Sequence, residues 1–177
     1  MSSQALRYIP VWEAVDDLLQ EQIIAYWTAS GIRIRPQFLQ QRIQQVALII
    51  QDEEDNIVGL SSASTYWVPR LHGNFYVYRA SLGKSIRLTS ALAELTQQSF
   101  AYFNARYDST DPQAPIGLYA NFENAYLNLT RAAVIEHSGM MFVGYNHLNQ
   151  QERVRYFDGA KITLKKTMAV KEWTDPR

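Results

Sequence analysis

The spacing of apolar residues changes several times along the chain, and each change predicts a new element. Leu6 to Val11 is a short apolar run closed by Pro10 and reads as a first strand. From Trp12 or Glu13 the period lengthens to that of a helix, with Val15, Leu18, Leu19, Gln22, Ile23 and Tyr26 forming one stripe. Glu13, Asp16 and Asp17 fall in its first turns, where negative charge suits the helix dipole, and Gly31 is its terminator. Arg35-Pro36 opens a second, shorter helix carrying Phe38, Leu39, Arg42, Ile43 and Val46. Val46 to Ile50 reads as a buried strand. The acidic turn Asp52 to Asn56 then leads into a second strand from Ile57, continuing to the break at Pro69.

The stretch from Asn74 to Asn104 is the centre of the pattern. Phe75, Val77 and Tyr78 favour a strand up to Leu82, Gly83-Lys84-Ser85 is a turn, and from Ile86 the residues Leu88, Ala91, Leu92, Leu95 and Phe103 recur at helical spacing. The first turn of such a helix has N–H groups without internal partners and lies at the positive end of the dipole. A phosphate beside Lys84 and Arg87 is therefore the functional expectation. The alternative keeps Ser85 as an N-cap, Gly83 as a turn glycine and the two cations as a solvated edge. Beyond the polar loop Tyr107 to Ala114, the spacing predicts a strand over Pro115 to Asn121, a helix over Ala125 to Ser138 stopping at Gly139, and a strand over Met140 to Tyr145. Val154 to Phe157 and Ile162 to Leu164 read as a closing hairpin through Asp158-Gly159. A loosely ordered tail is expected over about 168–177.

Composition narrows the function classes. A chain of 177 residues, 47% hydrophobic, is long enough for one cored domain, and no repeat or linker divides it. Seventeen basic residues balance seventeen acidic ones, which argues against a nucleic-acid binder or a broad attraction to anionic membrane. Without cysteine there is no thiol nucleophile or thiolate metal site, and His72, His137 and His147 are too scattered for a metal centre. The acidic turn lacks the spacing of a calcium loop. The amino terminus lacks the organisation of a signal peptide and no apolar run suits a membrane span, so a cytoplasmic protein is expected. An exposed strand edge or the aromatic surface would suit a homodimer.

This order of elements, with the segment Leu82-Gly83-Lys84-Ser85-Ile86-Arg87-Leu88-Thr89-Ser90-Ala91-Leu92, resembles the GNAT (GCN5-related) acyl-CoA N-acyltransferase superfamily from the first strand to about Phe157. The family's motif is a loop of the form Arg/Gln-x-x-Gly-x-Gly/Ala leading into a helix. Lys84 falls near its first cation, while Ser85, Arg87 and Thr89 stand where glycine or alanine is usual. In the later segment, Asn128 and Gly139 match the family's helix-end pattern and Met140 replaces its aromatic. Ile135 occupies the place of the tyrosine that commonly protonates the departing thiolate.

The resemblance implies a single α/β domain over 1–177, with a mixed, mostly antiparallel sheet, a central parallel strand pair and about four flanking helices. It also implies acetyl-CoA or another acyl-CoA as co-substrate, an amine of a small molecule or peptide as acceptor, and no metal. The pantetheine arm would lie between Phe75–Leu82 and Ile116–Asn121. Backbone at Tyr78, Arg79 and Ala80 would face the thioester, and Lys84, Ser85, Arg87, Leu88 and Thr89 the pyrophosphate. Asn121 and Asn128 are candidates for the CoA amides, with helix capping as the alternative for Asn121.

The strand Asn74 to Leu82 holds no carboxylate, so Glu123 is the candidate base, with a first-turn helix carboxylate as its alternative role. Tyr119 and Tyr126 are candidate proton donors, with packing as theirs. The competing reading is a catalytically silent domain of the same fold that binds acyl-CoA or a protein partner.

Overall fold

The computed structural model describes residues 5–84, 86 and 88–162, without the side chains of residues 88 and 89. Seven strands form one sheet: β1 (Arg7–Pro10), β2 (Val46–Gln51), β3 (Ile57–Val68), β4 (Gly73–Leu82), β5 (Gly117–Asn121), β6 (Met141–Tyr145) and β7 (Gln151–Tyr156). Their order across the sheet is β1-β2-β3-β4-β5-β7-β6. All pairings are antiparallel except β4 with β5, which is parallel. The expected mixed α/β class and central parallel pair are both present.

Among the described residues, three α-helices cover the sheet: α1 (Asp17–Ala29), α2 (Leu39–Gln44) and α3 (Leu88–Asn104). Period-2 alternation along the strands sends side chains to opposite faces. Ile49 and Leu60 therefore pack with Ile23, Trp27 and Ile43 of α1 and α2. Leu48, Ile50 and Ala63 pack with Leu95, Phe100 and Phe103 of α3 on the other face. Leu95 is fully buried, and a side chain of that size contributes about 1.5–3 kcal/mol on leaving water.

Helix α1 starts later than the spacing predicts. Ala14 N donates to Val11 O and Glu13 takes φ 60°, so a turn occupies the expected first helical positions. Asp16 is the N-cap, accepting from Leu19 N at 2.8 Å. Trp12 is drawn instead onto the rings of Tyr76 and Phe103. The end is as expected: Ile32 N bonds back to Trp27 O, and Gly31 takes the left-handed φ of 72°.

The helix expected over Ala125 to Ser138 does not form. The segment holds one 3-10 turn, Leu127–Leu129, preceded by Asn124, whose Oδ1 accepts from Tyr126 N. The carbonyls a helix would use internally are taken by β7. Gln151 Nε2 donates to Asn128 O and Thr130 O, and the fully buried Arg153 donates to Ala132 O, Ala133 O and Met140 O. Tertiary hydrogen bonds thus override a helical spacing that includes β-branched Thr130, Val134 and Ile135.

The closing hairpin also differs from expectation. β7 pairs with β5 on one side and β6 on the other, its hairpin partner being β6 across the Asn146–Gln150 turn. Residues 163 and 164, like the tail, lie outside the described residues.

Arg153 is a buried cation whose hydrogen-bond partners are carbonyl and amide oxygens, with Phe122 and Phe142 rings 5.3 and 5.8 Å from its guanidinium. Replacing it by methionine takes the donors from Ala132 O and Gln151 Oε1, while Ala133 O keeps Phe142 N and Met140 O keeps Ile135 N. Arg153→Met is expected to lower unfolding free energy by about 3 kcal/mol in urea denaturation. A change within about 0.5 kcal/mol would show that the segment is held by other contacts.

Candidate active site

The sheet parts along its parallel seam. β3 pairs with β4 over its whole length from Gly73 to Leu82, but β5 meets β4 at only two rungs, Tyr76 with Leu118 and Val77 with Tyr119. Beyond them β5 stays registered with β7 as far as Asn121 opposite Glu152. From Tyr78 onward β4 therefore has a paired strand on one side only among the described residues. Its free edge presents backbone N–H and C=O groups to a wedge that widens toward α3. Ala80 and Ser81 on one side, and Ala120 on the other, keep the bulk beside that wedge small.

The face toward α1 and α2 is polar at the mouth of the wedge. Arg79 on β4 and Glu123 beyond β5 approach to 4.0 Å across the opening, both more than half exposed. Ser62, the cross-strand partner of Arg79, accepts from Arg42, which also donates to Gln45. Burial lowers the Arg42 pKa, Arg79 lowers it further, and Glu123 opposes both. Tyr26 on α1 donates to Ser81 Oγ at 3.1 Å, and its phenol is raised chiefly by burial. On the opposite face Tyr78 is buried against α3, with its hydroxyl near Thr96 and its pKa also raised by burial.

A second group sits on the α1 side of the sheet where the wedge begins. Tyr119 is buried on β5 and its hydroxyl donates to Glu152 Oε1 on β7, while Glu152 Oε2 forms an ion pair with Arg70. Burial first, and the adjacent carboxylate second, raise the Tyr119 pKa well above the usual phenol range. Arg70 reaches over β6 at Gly144: a Cβ there would lie 2.7 Å from Arg70 Nη1, and the φ of 143° is one that glycine accepts readily. Tyr66, Val68, Pro69, Arg70, Tyr119 and Glu152 line an open depression of about 370 Å³. Arg70 and Glu152 were not singled out from sequence. Glu152 lies in the polar run Gln151-Glu152-Arg153, which resembles loop, and only its alternation with Val154 hinted at a strand.

The other expected site residues are dispersed. Tyr126 is 75% exposed on the loop after β5. Asn128 is engaged within the chain: its Nδ2 donates to Asn149 O and its Oδ1 accepts from Gln151 N, so it braces the loop rather than facing the wedge. Asn121 Oδ1, at the end of β5, is buried and has no hydrogen-bond donor among the described residues. Lys84 is exposed and, with Gly83, Tyr26, Ala29, Ser30, Ile57 and Val58, lines a second pocket of about 280 Å³. Ser85 and Arg87 lie outside the described residues. Leu88 and Thr89 begin α3, where only their backbone is described. Among the described residues no cluster of histidine and carboxylate suits a metal, and no helix is long and apolar enough to cross a membrane.

No protein-family model and no curated protein matches the chain. Solved structures do. The acetyltransferase of GNAT family from Streptococcus pneumoniae superposes with a TM-score of 0.55 at 11% identity, over 86% of this chain and 100% of that one. A provisionally named phosphinothricin N-acetyltransferase gives 0.50 at 14% identity, over 87% and 99%. Identities this low speak to the fold alone.

Tyr119 yields a pH prediction. Its raised pKa means that between about pH 10 and its folded value the unfolded chain loses a proton that the folded chain keeps, so stability falls as pH rises. One such group steepens the fall by up to about 1.4 kcal/mol per pH unit. Tyr119→Phe is expected to flatten the loss of stability above pH 10 in denaturation followed by circular dichroism. An unchanged alkaline slope would mean that Tyr119 titrates normally.

Proposed function

The chain has the fold of the GNAT acetyltransferases in a divergent form, and from that premise we propose that it transfers an acyl group from acyl-CoA to an amine. The observation carrying this reading is the early parting of β4 from β5, which leaves a strand edge the length of a pantetheine arm. The arm adds to the open edge as a further strand would, and Asn121 Oδ1 accepts from one of its amide N–H groups. The pyrophosphate meets Lys84 and the first turn of α3, where Ser85, Arg87 and the Leu88 and Thr89 backbone supply further donors.

The neutral amine attacks the thioester carbonyl carbon, forming the C–N bond and an oxyanion. Backbone N–H groups between Tyr78 and Ala80 on the open edge hold that oxyanion. The C–S bond then breaks with its electron pair on sulfur, and the thiolate takes a proton from water or from the exposed phenol of Tyr126. Glu123, accessible and beside Arg79, accepts the proton the amine loses. Tyr119 holds its proton against Glu152 and acts as a positioning residue.

A second reading, acyl-CoA binding without turnover, draws on one observation. The segment that would present a tyrosine to the leaving sulfur is non-helical and has Ile135 at that place.

Titration calorimetry with acetyl-CoA tests the common part. Binding in the micromolar range is expected, weakened about three- to tenfold by Lys84→Ala, and no heat at millimolar ligand would overturn both readings. Thiol release across an amine panel separates them: release that falls at least about tenfold in Glu123→Gln supports transfer, and tight binding without release supports the silent domain.

A further inference from the structure

The Arg70–Glu152 pair differs from the other ion pairs among the described residues. Arg7–Asp55 and Arg79–Glu123 are exposed on both sides, whereas the Glu152 side chain is only 11% exposed and that of Arg70 is 41% exposed. Burying a carboxylate beside a guanidinium adds little stability over an apolar pair of the same volume, so stability alone gives a weak reason for it. The capacity of both groups is also only partly used. Glu152 receives Tyr119 on one oxygen and Arg70 on the other, while a carboxylate offers about four acceptor positions. Arg70 Nη2 meets Glu152, and the guanidinium, 41% exposed, has five N–H donors in all. Both groups line the pocket of about 370 Å³, whose remaining walls are Tyr66, Val68, Pro69 and Tyr119.

We propose that this pocket binds a free α-amino acid with an apolar side chain. Its carboxylate takes the remaining donors of Arg70, its ammonium takes the remaining acceptor positions of Glu152, and its side chain lies against Tyr66, Val68 and Pro69. The touching protein charges select the ligand, because the matching charges must sit a few ångströms apart on one small head group. A diamine or a side-chain amine carries no anion beside its nitrogen, and a peptide amino terminus has an amide there. The volume falls at the lower end of the usual range for small-molecule sites, which favours a single amino acid over a longer chain.

The proposal deepens the acyl-transfer reading by naming the acceptor, and rests on that reading only for the chemical step after binding. Tyr119 is both a wall of the pocket and a member of the last paired rung, so the bound nitrogen lies beside the start of the wedge. For transfer, the ammonium first gives one proton to Glu152 and attacks as the neutral amine, and Glu123 takes the second proton, which the nitrogen loses once the C–N bond has formed.

The test uses the whole chain without acyl-CoA. L-phenylalanine, L-leucine, phenethylamine and 3-phenylpropanoate are titrated by calorimetry, and acetyl-CoA in a parallel run. Saturable binding of at least one amino acid is expected, with the amine and the acid each at least about tenfold weaker than L-phenylalanine. Arg70→Met and Glu152→Gln should each weaken amino-acid binding by a similar factor, with melting curves confirming that the variants fold. Should either variant fail to fold, the analogue series on the wild type decides alone. Equal affinity for the analogues, or no saturation by either amino acid below about 20 mM, overturns the proposal. Amino-acid binding without acetyl-CoA binding overturns the transferase reading and leaves the pocket assignment standing. The reverse result removes only the assignment.

Discussion

Two parallel rungs, Tyr76 with Leu118 and Val77 with Tyr119, join the four-stranded and three-stranded halves of the sheet. Each half is internally well paired: β3 and β4 share ten rungs and β5 and β7 share five. A sheet this regular on both sides would zip further if its backbone groups had no other use, since an unpaired peptide group away from water costs free energy. What the parting gives up in pairing, it returns as an extended polar edge of fixed geometry. Arg79, Glu123, Asn121 and the start of α3 are placed relative to that edge.

The three-stranded half depends on a different device. Where the spacing predicts a fourth helix, the chain runs irregularly, and β7 supplies the missing hydrogen bonds through Gln151 and Arg153. The same strand turns Glu152 to the opposite face, where it meets Tyr119 and Arg70. Three consecutive polar residues are thus buried at one strand end. Two hold an irregular segment in place, and the third lines the pocket.

Much of this was legible in the chain. Apolar runs marked β2, β3 and β4, helical stripes marked α1 and α3, and the resemblance they carried implied the mixed sheet with its parallel pair. The helix over 125–138 was misread because apolar spacing reports which residues lie on one side of a segment. It does not report whether a remote arginine will take the carbonyls. Gln151 to Arg153 were not included in the strand expected from Val154, because polar side chains are ordinarily exposed. Arg70 and Glu152 are far apart in sequence, and only the β6–β7 register, with Gly144 beneath the guanidinium, brings them together. Asn128 matched a motif position yet braces a loop, since the helix that gives the motif its geometry is absent here.

The most direct test of the open strand edge is amide hydrogen exchange with and without acetyl-CoA. If the pantetheine arm lies along β4, amides within Tyr78–Leu82 that face the wedge gain protection on binding, while those paired with β3 are already protected and change little. Protection confined to other parts of the chain, with Tyr78–Leu82 unchanged at saturating ligand, would contradict acyl-CoA binding in the wedge.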